Sequence, residues 1–303
     1  MNRCLAACSG VRTAFAAAPF LLAGCASSGG VDEPFPVVPS VTQSPTGIHE
    51  AGRFVWHDLV TDDVAAAKQF YGGLFGWQFQ DDDPGDRFTL ITREGRRLGG
   101  IIRERRSGDE APSRWYSSVS VAEVDQAAAR AEAAGGQITA GPDDLPDRGR
   151  LVVVEDPQGA SLVLFRATGG DPPEPEDFEH GDFLWTELWT TDSGEAVAYY
   201  EQVVGYSSEF SGDEVRRYYV LSMGGDPLAG IGQLPPGDAD PAWLPYVAVD
   251  DVHAVVAAVP GLGGEVIIPP EATRRGNAAV LTDPAGAVIA VQEWPLDSDE
   301  EGE

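Results

Sequence analysis

The sequence predicts an α+β protein made of two copies of one folding unit, and three observations carry that prediction. First, FVWHDLVTDDVAAAKQFYGGLFG from Phe54 to Gly76 returns as FLWTELWTTDSGEAVAYYEQVVG from Phe183 to Gly205. Trp56, Leu59 and Tyr71 thus match Trp185, Leu188 and Tyr200, all 129 positions on. Second, the match runs on through Trp115 and Trp243, Gly135-Gly136 and Gly263-Gly264, and DPQGA at Asp156 and DPAGA at Asp283, with the offset slipping only to 128 and 127. Slips of one residue belong in loops, so the element order is the same in both copies. Third, 303 residues at 43% hydrophobic content give each copy enough chain to bury its own core.

Taken in order, the first segment is a leader. Arg3 and Arg12 precede an apolar stretch, Thr13 to Ala23, that ends in Leu22-Ala23-Gly24-Cys25. A charged region, an apolar region and small residues make a secretory signal over residues 1–24. The sequence Leu-Ala-Gly-Cys also looks like a lipobox, in which Cys25 is acylated and becomes the first mature residue; the plainer alternative is a cleavable signal with a chance cysteine. All three cysteines lie in the leader and its boundary (Cys4, Cys8, Cys25), so no disulfide is expected in the mature domains. The chain is therefore expected in the cell envelope, lipid-anchored and facing outside the cytoplasm. Ala26 follows the cysteine, which by resemblance to known lipoproteins is compatible with outer-membrane sorting.

Residues 25–51, rich in Ser, Gly and Pro and without periodicity, read as the lipidated cysteine and a flexible tether. The formal charge is −29; the leader carries Arg3 and Arg12 and no acid, so the mature residues carry −31. Nucleic acid is excluded as a partner, since no basic surface could neutralise its phosphates. Part of the acid sits in DPPEPEDFEH, within the linker 169–180, and in the tail 295–303; both read as solvated spacers.

Within the first repeat, Phe54 to Val60 is a short strand, after which Asp62 or Asp63 caps an Ala-rich helix through Phe70 and Tyr71. Strands follow at Trp77–Phe79, Phe88–Thr92 and Leu98–Arg103, divided by DDDPGD and REGR turns. A second β-α-β-β-β module starts at Trp115–Val121. It continues with the helix Val124–Ala134, a Gly135-Gly136 stop and strands near Gln137–Ala140, Arg150–Glu155 and Ser161–Phe165. The second repeat parses in the same way.

A W-x-x-L-x-T-x-D strand, an F-Y or Y-Y pair on the next helix, a G-W or G-Y strand start and D-P-x-G-A before the last strand together resemble the glyoxalase/bleomycin-resistance proteins, the vicinal oxygen chelate superfamily. The resemblance covers two domains, residues 52–168 and 181–294. It implies that paired modules in each domain form a curved sheet around a cleft, with helices outside. It also implies that function lives in that cleft, on a fold that hosts lyases, dioxygenases and binding proteins alike.

The resemblance places metal ligands on the first and last strands of each module, and here those positions hold Trp56, Val163 and, near the second-module start, Tyr116 in the first repeat. In the second they hold Trp185, Ala290 and Leu244. His57 is one residue out of register; because a strand turns successive side chains to opposite faces, it is expected on the helix-packing face with Val55 and Leu59. His49, His180 and His253 show no metal-site spacing. No metal centre and no cofactor are expected.

The same alternation puts Trp56, Asp58 and Val60 on the cleft face of the first domain, and Trp185, Glu187 and Trp189 on that of the second. Tyr116 and Tyr246 are further lining residues, with Trp115 and Trp243 nearby. An aromatic wall with one acid suits a small-molecule pocket: the carboxylate of Asp58 or Glu187 recognises a cationic ligand or acts as a general base. The alternative is that the tryptophans fill a degenerate core and the acids lie at a wet strand end. Arg150, after Gly149, stands where the second repeat has Gly276-Asn277; Arg274 and Arg275 do not align with it. No nucleophilic arrangement and no phosphate loop is present. The leading expectation is a lipid-anchored tandem protein that binds small molecules in aromatic clefts. Its rivals are a lyase or dioxygenase with an unorthodox metal site, metal-free acid/base catalysis through Asp58 or Glu187, and an envelope scaffold with vestigial clefts.

Overall fold

The computed structural model describes residues 38–81, 87–104, 113–213, 217–234, 239–272 and 277–295. Cys25 and the acidic tail from 296 onward lie outside the described residues. Two eight-stranded mixed sheets account for the two repeats.

In the first domain, β1 (Phe54–Thr61), α1 (Val64–Phe75), β2 (Gln78–Gln80), β3 (Phe88–Arg93) and β4 (Arg96–Arg103) form one module. The other is β5 (Arg114–Ser120), α2 (Val124–Ala133), β6 (Gln137–Leu145), β7 (Gly149–Glu155) and β8 (Ser161–Ala167). The second domain repeats the pattern with β9 (Phe183–Thr190), α3 (Ser193–Val203), β10 (Ser207–Phe210), β11 (Tyr218–Met223) and β12 (Asp226–Gln233). Its last module is β13 (Ala242–Val249), α4 (Val252–Ala258), β14 (Glu265–Ile268), β15 (Ala278–Thr282) and β16 (Val288–Glu293). Strand orders β2-β3-β4-β1-β5-β8-β7-β6 and β10-β11-β12-β9-β13-β16-β15-β14 are identical in pattern. Each module is joined to its partner by the antiparallel central pair, β1 with β5 and β9 with β13.

Local chemistry sets the helix boundaries. Asp63, Asp192 and Asp251 each cap a helix N-terminus by accepting backbone N–H bonds, satisfying donors the helix cannot. Gly76 closes α1 at φ 67°, and Gly135 follows α2 at φ 93°, conformations that side chains with a Cβ disfavour.

The two domains meet through their helical faces. One core cluster joins Ala127, Ala128 and Ala131 of α2 to Ala196, Tyr199, Tyr200 and Val203 of α3. Another joins Phe70, Tyr71 and Leu74 of α1 to Val252 and Val255 of α4. The repeated motifs take their meaning from this interface. The Tyr71 hydroxyl donates to Asp283 Oδ2 at 3.2 Å across the domains and accepts from Trp115 Nε1 at 3.0 Å. Its counterpart Tyr200 donates to Asp156 Oδ2 at 3.0 Å and accepts from Trp243 Nε1 at 2.9 Å. Each aspartate uses its other oxygen to hold its own D-P-x-G-A turn, Asp156 taking the amides of Gln158 and Ala160, Asp283 those of Ala285 and Ala287. Trp77 Nε1 reaches Gly181 O at 2.7 Å, and the Tyr206 hydroxyl reaches Gly52 O at 2.5 Å, so the G-W and G-Y starts are also cross-domain ties.

Two expectations about the connecting segments change. The tether expected over 25–51 is not free chain from residue 38 onward: Val41 is fully buried against the first sheet, and Thr46 and Gly47 donate to Gly169 O. The apolar Val38 and Val41 find an uncovered sheet face, and burial outweighs the entropy of a loose segment. One linker acid is not solvated either, and an acid just past the linker is buried with it. Asp171 is buried and accepts from the Glu50 amide at 2.7 Å, and Asp182 is buried against Arg93 and Arg96. Among the described residues no helix is long and apolar enough to cross a membrane.

Candidate functional site

Each sheet has a second face that carries a core cluster free of helix residues. On β1 the alternation is interrupted by a register shift between Phe54 and Trp56. Beyond it, Trp56 and Val60 join the helix-free cluster, while Leu59 joins the cluster of α1. The shift carries Val55 into the helix-free cluster as well, which corrects its expected place beside His57 and Leu59; a bulge inserts one residue and breaks the period of two. His57 lies on the interdomain side. Its Nδ1 is 3.0 Å from Ser117 Oγ, and its ring packs on Phe183 of the other domain at 4.2 Å. Burial lowers its pKa to about 3, so it is neutral at physiological pH.

In the first domain, Trp56, Asp58 and Tyr116 come together on the helix-free face, Asp58 pairing in register with Tyr116 of β5. Trp56 Nε1 donates to Asp58 Oδ1 at 2.9 Å. Arg148, in the turn between β6 and β7, completes the site. It is only 3% exposed, its Nη1 lies 3.6 Å from Asp58 Oδ2, and its guanidinium sits over Trp56 at 4.5 Å and Phe88 at 5.4 Å. Burial raises the Asp58 pKa and lowers that of Arg148, while each charge offsets the other's shift.

This site is closed by the chain's own N-terminal segment. Arg148 Nε donates to Pro39 O at 2.8 Å, Arg97 Nη1 holds Ser40 O and Thr42 O at 2.5 and 3.0 Å, and Val41 fills the apolar cluster with Trp56, Phe88 and Val163. What remains between Val38, Asp58, Tyr116 and Arg148 is a cavity of about 40 Å³, room for a few waters.

Among the described residues the second domain presents the corresponding side chains without a counterpart of that cover. Trp185, Glu187 and Trp189 occupy the positions of Trp56, Asp58 and Val60, and all three are half-buried. Glu187 Oε2 accepts from Trp189 Nε1 at 2.6 Å and from the Tyr246 hydroxyl at 2.5 Å. Trp185 Nε1 donates to Tyr218 at 3.3 Å. Burial, followed by the Glu187 charge, raises both tyrosine pKa values well above normal, which keeps both phenols protonated as donors. Gly230 makes this possible: a Cβ there would overlap the Tyr218 hydroxyl, just as one at Gly100 would overlap Asp58 and Phe88. Among the described residues no Lys, Arg or His pairs with Glu187.

Sequence reasoning missed Arg148, Phe88 and Tyr218. The Arg-Gly-Arg step hinted at Arg148, but Arg150 is the arginine that opens the predicted strand. That side chain is on the surface, bonded to Asp125 and Asp144. Tyr246 lies two register pairs, and so one step on the same sheet face, from the counterpart of Tyr116, which is Leu244.

The positions that the family resemblance gives to metal ligands do not fit a metal. Trp56, Val163, Trp185, Leu244 and Ala290 offer no metal-binding atom, and Tyr116 would supply a single phenol oxygen, too few for a metal site. Among the described residues no three His, Cys, Asp or Glu side chains converge.

A model of the Glyoxalase/Bleomycin resistance protein/Dioxygenase superfamily matches residues 52–164 and again residues 182–291. Over 243 residues the chain is 34% identical to "Putative glyoxylase CFP32" of Mycobacterium tuberculosis, covering 78% of this chain and 92% of that protein. Over 257 residues it is 32% identical to "Anthracycline biosynthesis protein DnrV" of Streptomyces peucetius, covering 80% and 93%. The Mn(II)-bound glyoxalase from Novosphingobium aromaticivorans superposes with a TM-score of 0.56 at 16% identity, covering 81% of this chain and 83% of that one. The halotolerant catechol dioxygenase BphC gives 0.54 at 17%, covering 84% and 91%. These two likenesses speak to the fold.

Proposed function

The chain belongs to the Glyoxalase/Bleomycin resistance protein/Dioxygenase superfamily, and we propose that within it this protein is a small-molecule binder that works through the second domain without the family's metal. In this reading each sheet curves around a cleft, the first cleft is sealed by residues 38–42, and the second is open. The observation that carries it is the contrast between two acids at the same register position: Asp58 is paired with Arg148 and covered, whereas Glu187 is held by two neutral donors beside half-buried Trp185 and Trp189. A preorganised carboxylate among aromatic rings is what a specific pocket needs: large apolar area for affinity and a few fixed polar groups for orientation. One relative is named for anthracycline biosynthesis; a planar aromatic ligand suits the two tryptophan faces.

The test joins metal analysis of the purified protein to a thermal-shift screen of small aromatic compounds. Less than stoichiometric transition metal, with hits that vanish on Trp185→Leu, is expected. A stoichiometric metal, or hits unaffected by Trp185→Leu, overturns the reading.

Cys25 carries the lipid in this proposal, and it is supported by the Leu-Ala-Gly-Cys run at the end of an apolar leader. Cys25→Ser is expected to release the folded protein from the membrane fraction; a variant that stays lipidated and membrane-bound overturns it.

A further inference from the structure

The two halves of this molecule answer a question about each other. In the first domain the aromatic and acidic side chains already hold a ligand, and that ligand is the guanidinium of Arg148. It stacks over Trp56 and Phe88, lies 3.6 Å from Asp58 and gives one N–H to Pro39 O, while its Nη2 is buried without a hydrogen-bond partner among the described residues. Such a cage combines ring quadrupoles with a carboxylate, the arrangement that stabilises a weakly hydrated, planar cation.

Strand register maps the cage onto the second domain residue by residue. Asp58 is opposite Gly100 on β4, and Glu187 is opposite Gly230 on β12. Gly100 and Gly230 are in turn opposite Leu90 and Val220, which puts Phe88 and Tyr218 at equivalent positions. Both glycines leave the space that those two rings occupy. The floor acid, the tryptophan and the third wall are therefore all present in the second domain as Glu187, Trp185 and Tyr218. Trp189 replaces Val60 and adds a further aromatic face. Among the described residues no cation occupies the equivalent of the Arg148 position.

We infer that the second-domain site binds the cationic head of a small molecule, a guanidinium or a compact ammonium attached to an apolar or aromatic body. The cation lies against Trp185 and Tyr218 and pairs with Glu187. This inference rests on the small-molecule reading of the same site and narrows it to one ligand class. Glu187 suits the task because its fixed donors, Trp189 Nε1 and the Tyr246 hydroxyl, converge on Oε2. The remaining acceptor capacity of the carboxylate meets the incoming N–H groups. The overall charge of −29 adds a long-range attraction for cations of any kind; that part is screened by salt, whereas the half-buried pair is screened much less.

Isothermal titration of the full-length protein with benzylguanidinium, benzylamine and the neutral benzyl alcohol, at moderate salt, tests the inference. Benzylguanidinium is expected to bind at least about tenfold more tightly than benzyl alcohol. Glu187→Gln should cost roughly ten- to a hundredfold for the two cations and leave benzyl alcohol unchanged, the loss expected for removing a charged hydrogen-bond partner. Trp185→Leu should weaken all three probes. Equal affinity for charged and neutral probes, with loss on Trp185→Leu, overturns the cation class while the small-molecule site stands. No binding of any probe overturns both. In the repeat, Arg275 precedes Gly276 as Arg148 precedes Gly149, and Arg275 lies outside the described residues. Cation binding that becomes measurable only in Arg275→Ala would mean that the chain fills its second cage as it fills its first, and would overturn the inference.

Discussion

Neutral, buried His57 gives the protein a specific sensitivity to acid. In the folded state burial lowers its pKa to about 3, against an ordinary 6.5 in the unfolded chain. Between those two values the unfolded chain binds a proton that the folded protein refuses, so stability falls as pH falls through this window and is fully present above about pH 7. From about pH 7 to about pH 5 the unfolded imidazole becomes almost fully protonated while the folded one stays neutral, which amounts to about 2 kcal/mol of lost stability from this residue alone. Buried Asp58, Asp156 and Asp283 have raised pKa values and push the other way, gaining stability as they protonate at lower pH. Comparison with His57→Gln cancels them. Urea denaturation at several pH values on both proteins is the assay; the wild type should lose about 2 kcal/mol more than the variant over this range. Whatever His57→Gln costs at neutral pH, only the difference in slope matters. Parallel pH profiles would refute the claim that His57 is held neutral between Ser117 and Phe183.

Tyr71→Phe and Tyr200→Phe each remove a buried hydroxyl that bridges a tryptophan and the other domain's aspartate, at about 1–3 kcal/mol apiece. The double variant should lose nearly the sum in equilibrium denaturation, because the two clasps share no side chain. Val41→Asp puts a charge into the apolar cluster of the first domain, so the 38–42 segment should leave it. Hydrogen exchange is expected to show lost protection confined to that segment, and global unfolding at lower denaturant would count against a detachable cover. Gly230→Ala collides with the Tyr218 hydroxyl. It should abolish aromatic hits in the thermal-shift screen while the far-ultraviolet circular dichroism stays that of the wild type.

Much of this architecture was legible before any coordinates, because it is written in short-range patterns. The doubled motif set two units. Helix caps such as Asp63 and Asp192, and the glycine stop at Gly135, follow from backbone chemistry within four residues. The period of two separates His57 from Trp56 and Asp58 onto opposite faces, and it failed at Val55, where a bulge inserts one residue. The pairing of D-P-x-G-A with the other domain's tyrosine was not legible. Sequence shows that both motifs recur; it carries no term for which copy of one meets which copy of the other.

By itself, then, the sequence determined the repeat, the modules, the acidic charge and the residue types on each strand face, since these depend on neighbours a few positions away. Only the tertiary structure decided how the two sites differ. Arg148 is 90 residues from Asp58 along the chain, and Val41 reaches the same cluster from a stretch that has the composition of a linker. Whether such groups meet depends on the free energy of closing a long loop against burying a valine and pairing a guanidinium. That balance is struck in three dimensions, and here it fills one aromatic cage from within while Glu187 keeps no cation among the described residues.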